Sequence, residues 1–178
     1  TVFMEGLNLV SGIEVGHGGV WVGAAPEFLF IPKDAEDKAG KPVVLLDGWG
    51  FHDTHETLNS FVWGPDGWLY GNHGVFTHSV VGKPGAPEAE RQKLNAGVWR
   101  YHPTRHVFEV FAHGLRNVQE IAFDPALSMY FAGKLIEEGL PLVEIRQAPL
   151  FFGVGDQREL LDILQVLISC LVFLMMVM

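Results

Sequence analysis

The chain has 178 residues, 48% apolar, 12% aromatic and only 19% charged, which is enough apolar material for one domain-sized core and too much for a disordered chain. Twelve basic side chains against 21 acidic ones leave a formal charge of −9, which repels phosphate backbones and argues against a nucleic-acid partner. The single cysteine, Cys170, excludes an internal disulfide framework, a thiolate zinc site and a CxxCH haem attachment.

From residue 2 to about residue 133 the pattern is uniform. Short apolar or alternating runs are separated by Gly, Pro, Asp or Asn: GVWVG (19–23), FLFIP (28–32), VVLLD (43–47), SFVWG (60–64) and WLYG (68–71). GVWRY (97–101), VFEVFA (107–112), EIAFD (120–124) and MYFAG (129–133) continue it. Runs of this length between turn residues predict short antiparallel strands, and no stretch before Leu135 has a helical period. Pro65-Asp66-Gly67, between FVW and WLY, predicts a hairpin: proline presets the first corner, and glycine accepts the positive φ that follows.

The runs also repeat. FLFIP, VVLLDG and SFVWGPDGWLYG are echoed by GVWRYHP, VFEVFAHG and EIAFDPALSMYFAG, with Trp63 and Phe123, and Tyr70 and Tyr130, 60 positions apart. Units of four short strands are the pattern of propeller blades, usually ~40–50 residues each. The excess is accounted for by an insertion over 72–96 between the second and third strands of one blade. Its KPGAP (83–87) and the charged run over 88–93 read as an exposed loop with at most a helical turn. The predicted fold is therefore all-β, a partial β-propeller of about three blades over residues 1–134.

After Leu135 the texture changes. Residues 135–155 form a connection without a clean period. An apolar helix is predicted over 156–178, with Asp156 and Glu159 placed as a capping box. Residues 163–178 hold only Gln165 and Ser169 as polar side chains, but span about 24 Å as a helix against a ~30 Å hydrocarbon core. Starting at Leu160 brings Asp162 into the span. The segment reads as a buried or interfacial helix, or an end unrelated to the rest, with membrane association through 160–178 as the alternative. Thr1 in place of methionine reads as a piece of a longer protein.

Residues 6–32, 45–85 and 95–114, including GFHDTHETLNSFVWGPDGWLYGNHG and NAGVWRYHPTRHVFEVFAHG, resemble the propeller domain of the membrane-bound dehydrogenases of planctomycete-type bacteria. That domain is in turn similar to glucose/sorbosone dehydrogenases that use pyrroloquinoline quinone (PQQ). The resemblance covers about residues 1–133. It implies a periplasmic or cell-envelope oxidoreductase, free or membrane-associated, with PQQ and calcium as cofactors. A sugar or alcohol would be the substrate, and a cytochrome c domain the type of electron acceptor. The family's helical repeats and c-type haem motif are not visible in this chain.

The resemblance also implies site residues. His55, ahead of GPDGWLY, matches a base that takes the sugar hydroxyl proton as hydride passes to the quinone, work suited to an imidazole near its pKa. Arg116 and Asn117, in Gly114-Leu115-Arg116-Asn117, match residues that reach the quinone oxygens, where an arginine would stabilise charge on the reduced cofactor. The ordinary alternatives are His55 paired with Asp53 or a backbone group, and Arg116 and Asn117 satisfying backbone at a blade corner. A separate metal reading gathers His52, Asp53, His55, His73 and His78. His17, His102, His106 and His113 read as surface or blade-edge residues. No GxSxG, P-loop, dinucleotide fingerprint or CxxC is present. Two functions remain: a fragment of a quinone-linked dehydrogenase, or a non-catalytic propeller module that binds carbohydrate or protein.

Overall fold

The computed structural model describes residues 2–54, 57–115, 118–123, 128–137 and 140–149, and over them the chain is all-β. The strands in chain order are β1 (Val10–Gly16), β2 (Gly19–Ala24), β3 (Glu27–Pro32), β4 (Val43–Asp47), β5 (Asn59–Trp63), β6 (Leu69–His73) and β7 (Ser79–Val81). They continue as β8 (Gln92–Leu94), β9 (Gly97–His102), β10 (Val107–His113), β11 (Val118–Phe123), β12 (Ser128–Glu137) and β13 (Leu140–Pro149). The only helical element among the described residues is a 3-10 turn at Glu88–Glu90. The chain divides into two compact units, Thr1–Ala148 and Pro149–Met178. The helix expected over 156–178 lies outside the described residues. Among the described residues no helix is long and apolar enough to cross a membrane.

Each of the nine runs named from the sequence is a strand. They form three antiparallel sheets, β1-β2-β3-β4, β5-β6-β9-β10 and β11-β12-β13, with β7-β8 as a separate ribbon. The expected insertion does fall between the second and third strands of the second sheet. The repeat is carried by register: Val62 pairs with Tyr70 and Trp63 with Leu69, just as Ala122 pairs with Tyr130 and Phe123 with Met129. Each repeat unit thus joins the last two strands of one sheet to the first two of the next.

The GPDG turn takes the predicted form. Gly67 N–H donates to Gly64 O at 3.0 Å, and Gly67 has the positive φ of 79° that the turn requires. β2 and β6 are buried at every position, because both of their faces are covered by packed side chains. Trp21 and Phe28 of the first sheet meet Phe61, Trp99 and Tyr101 of the second, with ring centroids 5.3–5.9 Å apart. Burying an aromatic of this size contributes about 2–3 kcal/mol. The opposite face of the first sheet (Val20, Val22, Leu29, Ile31) is covered by Phe3, Met4 and Leu7. β1 lies beside β5, and β11 beside β5 and β6. Trp63 Nε1 closes the first of these contacts by donating to Val15 O at 2.9 Å.

Two expectations are refined. The 83–91 tip of the insertion is exposed or half-buried and holds a 3-10 turn, as expected, but the segments on either side of it are anchored in the core. Val81 and Leu94 are buried in the main core, and Asp47 and Gly82 exchange backbone hydrogen bonds of 2.9 and 3.2 Å. Gln92 clasps β10, donating to Phe108 O at 2.9 Å and accepting from Val110 N at 3.1 Å. Only the tip carries the charge and proline that dominated the composition. Second, the stretch without a clean period after Leu135 is largely strand, the end of β12 and the whole of β13.

Candidate functional site

Several connecting segments gather at the end of β6 that carries His73. Where β4 ends, Gly48 (φ +88°) brings the backbone so close to the ribbon that a Cβ would lie 2.1 Å from Val80 O. This lets Val80 N donate to Gly48 O at 3.1 Å. Beyond it, Gly50 N donates to Ser79 Oγ at 2.8 Å, and Thr57 Oγ1 donates to Gly50 O at 2.6 Å. Asp53 N donates to Thr77 Oγ1 at 3.0 Å, and that hydroxyl donates back to Asp53 O at 3.1 Å.

His73 stands at the centre, fully buried with its ring 5.5 Å from that of Trp49. Its Nε2 is 2.8 Å from Thr77 O and 2.8 Å from Ser79 Oγ, and Leu58 N faces Nδ1 at 3.4 Å. A carbonyl on one nitrogen and an N–H on the other select the neutral Nε2–H tautomer. Burial, reinforced by His78 and opposed by the Thr77 hydrogen bond, pushes the imidazole from 6.5 down to about 4. His73 is thus a neutral knot in a buried polar network, and Thr57, Thr77 and Ser79 around it are buried as well.

A second thread runs into the same place. Ala96 N donates to Gly74 O at 2.9 Å, and Leu115 N donates to Ala96 O at 3.0 Å. Leu115 and Val118 are both buried. The residues inferred for chemistry, His55, Arg116 and Asn117, lie outside the described residues. What the structure brings together is their flanks: Asp53 and Leu58 on either side of the first meet the 73–77 turn directly, and Leu115, just before the other two, is linked to it through Ala96. The described parts of these segments carry imidazoles and amides but no Lys or Arg.

Among the described residues no group of three or more His, Cys, Asp or Glu is placed to hold a metal. His52 is exposed, His73 is engaged as above, and Asn95 Nδ2 donates to His78 Nδ1 at 2.7 Å. His17, His106 and His113 are exposed and His102 half-buried, in keeping with surface and edge positions. His73, grouped with a metal set from the sequence, is better marked by its place just after the apolar run WLYG (68–71), with Thr77 and Ser79 following at hydrogen-bonding reach.

At the other end of β6 the GPDG corner is charged and closes on itself. Tyr70 OH donates to Asp66 Oδ2 at 2.6 Å. Arg100 holds Glu109 Oε2 at 2.6 and 2.8 Å while its guanidinium lies 4.2 Å over the Trp68 ring. Burial and then Asp66 drive the Tyr70 phenol far above its ordinary range, so it is a donor there and not a base. A separate open cavity of about 320 Å³ lies between the ribbon and β10, lined by Leu46, Val81, Glu90, Gln92 and Phe108 among others; it contains none of the residues inferred from the sequence.

A family model described as a domain of unknown function (DUF7133) matches residues 1–136, so the chain belongs to that family. No curated protein matches the chain.

Proposed function

We propose that the three sheets are successive blades of a β-propeller. On this reading the gathered segments form one edge of a site that, in the intact protein, passes hydride from a sugar or alcohol hydroxyl to a bound quinone. The propeller reading is supported by sheets whose strands follow chain order and whose first strands, β1, β5 and β11, lie side by side. It is also supported by Ile13 and Val15 of β1, more than half exposed, apolar surface that a further blade would cover. The observation that carries the site is the meeting of the chain flanking His55 with the chain entering Arg116, through His73, Gly74 and Ala96.

A bound quinone supplies the redox chemistry. This chain's share is to hold it and to move a proton. Arg116 and Asn117 are the residues to hold its oxygens, and Arg116 is the only cation these segments contribute. His55 is the base that takes the hydroxyl proton. Calcium has no ligand set among the described residues, so no step is assigned to it. The test uses the intact protein with PQQ and calcium, a dye acceptor and a panel of aldoses and alcohols. Turnover is expected, reduced on the order of 10²–10⁴-fold in His55→Ala. No PQQ uptake and no turnover with any substrate would reject the reading.

A second reading, a non-catalytic module that binds carbohydrate or protein, draws on Phe51 and Phe76. Both are large apolar side chains, about half exposed, on the same gathered segments, and such rings suit the apolar faces of sugars. Sugar binding by calorimetry without quinone uptake selects it.

A further inference from the structure

Alternation along β6 sends its side chains to two different partners. Leu69 joins Trp21 and Trp99 in the main core, and His73 meets Trp49. Tyr70 and Asn72 therefore point the other way, and the Tyr70 ring lies 5.2 Å from Phe123 of β11. Asn59 pairs with Asn72 across the ladder, and the register shift that follows it restores Val62 opposite Tyr70. Both asparagines thus face β11. Asn72 is fully buried, yet neither its Nδ2 nor its Oδ1 has a hydrogen-bond partner, and Asn59 Oδ1 is buried and unpartnered beside it. Asn59 also sits between two non-glycine residues in the left-handed region, Leu58 (φ 45°) and Ser60 (φ 54°), a strained stretch that persists only when its surroundings fix it.

Buried polar groups without partners are rare, and their usual partner in a closed interior is a resident water. One donor and two acceptors on adjacent side chains match what water offers, since it can accept from one group and donate to two others. We propose an internal water site between β5–β6 and β11 in which resident water accepts from Asn72 Nδ2 and donates to Asn72 Oδ1 and Asn59 Oδ1, tying down the bulged start of β5. The inference stands apart from the proposed chemistry.

The test is on the full chain: long-lived water contacts to the Asn72 side-chain amide protons by NMR, together with melting temperatures of Asn59→Leu, Asn72→Leu and the double variant. A persistent water contact is expected in the parent and a shorter-lived one in Asn59→Leu, which removes one of the water's acceptors. The double variant is expected to lose less than the sum of the single losses, because removing both polar partners leaves no orphan. An amide with no slow-exchanging water contact overturns the proposal, as does a crystal structure in which the two asparagines bond protein groups instead. If the variants fail to fold, the measurement on the parent still decides.

Discussion

The two ends of β6 can be compared residue for residue. Beside the GPDG turn, Asp66, Arg100 and Glu109 form a partly exposed cluster of full charges around the buried Tyr70 phenol, with Arg100 stacked on Trp68. Five residues of strand away, His73 is surrounded by Thr77, Ser79 and the Leu58 amide, all neutral and buried. Both ends satisfy their polar groups, but one does so with ions that water and salt can reach and the other with dipoles that exclude them. The charged end answers to ionic strength and the neutral end to protons.

The largest expected effect is therefore acidification of the His73 end. The native imidazole stays neutral down to about 4, whereas in the unfolded chain it charges near 6.5. Between those values the unfolded state binds the extra proton, so stability is full above about 6.5 and falls as pH drops toward 4. The integrated loss is about 3 kcal/mol at ~1.4 kcal/mol per unit. His73→Ala should cost about 3 kcal/mol or more at neutral pH by orphaning Thr77 O and the Leu58 amide. The same variant should lose most of the acid-side slope. Denaturant midpoints across the pH range check both, and a variant with the same slope as the parent would show that another group titrates.

At the charged end the effect is smaller and of a different kind. Arg100→Met keeps a stem over Trp68 but removes the charge, leaving Glu109 unpaired. Arg100 is 20% exposed and Glu109 42%, so the expected loss is about 1.5 kcal/mol. The gap between parent and variant should narrow as salt rises, while the gap for His73→Ala should not. Equal salt dependence at both ends would erase the distinction between them.

The charged end was also the more legible in the sequence. PDG between two aromatic runs implies a hairpin through local chemistry alone, and the period-2 runs name nine of the strands. The echo of Trp63 in Phe123 reports the register of two sheets. β7 and β8 were not legible because each has three residues, and their apolar anchors, Val81 and Leu94, stand singly in a polar stretch. β13 was lost because LPLVEIRQAP mixes charge and proline in a way that no window resolves. The His73 network was invisible for a deeper reason: its partners are mostly backbone groups, a carbonyl and amides, which carry no residue code. The same holds for the chain entering Arg116, which Leu115, Ala96 and Gly74 join to the end of β6 through main-chain bonds alone.

Arg91 combines both kinds of contact, and so it gives the finest test. Its Nη1 is 2.5 Å from Asp47 Oδ1, an ion pair, while Nε donates to Ala86 O at 2.9 Å and Nη2 to Lys83 O at 3.3 Å. One planar fork thus closes the ribbon tip and ties it to β4. A lysine keeps the charge but cannot reach several acceptors at fixed angles. Because lysine keeps the ion pair, Arg91→Lys should cost less than about 1 kcal/mol globally. It should still speed amide exchange at Gly82 and protease cleavage within 83–91, because the tip opens without the core. A fall in global melting temperature as large as that of Arg100→Met would mean that the ribbon unfolds with the sheets, and that the buried Val81 and Leu94 outweigh the fork above them.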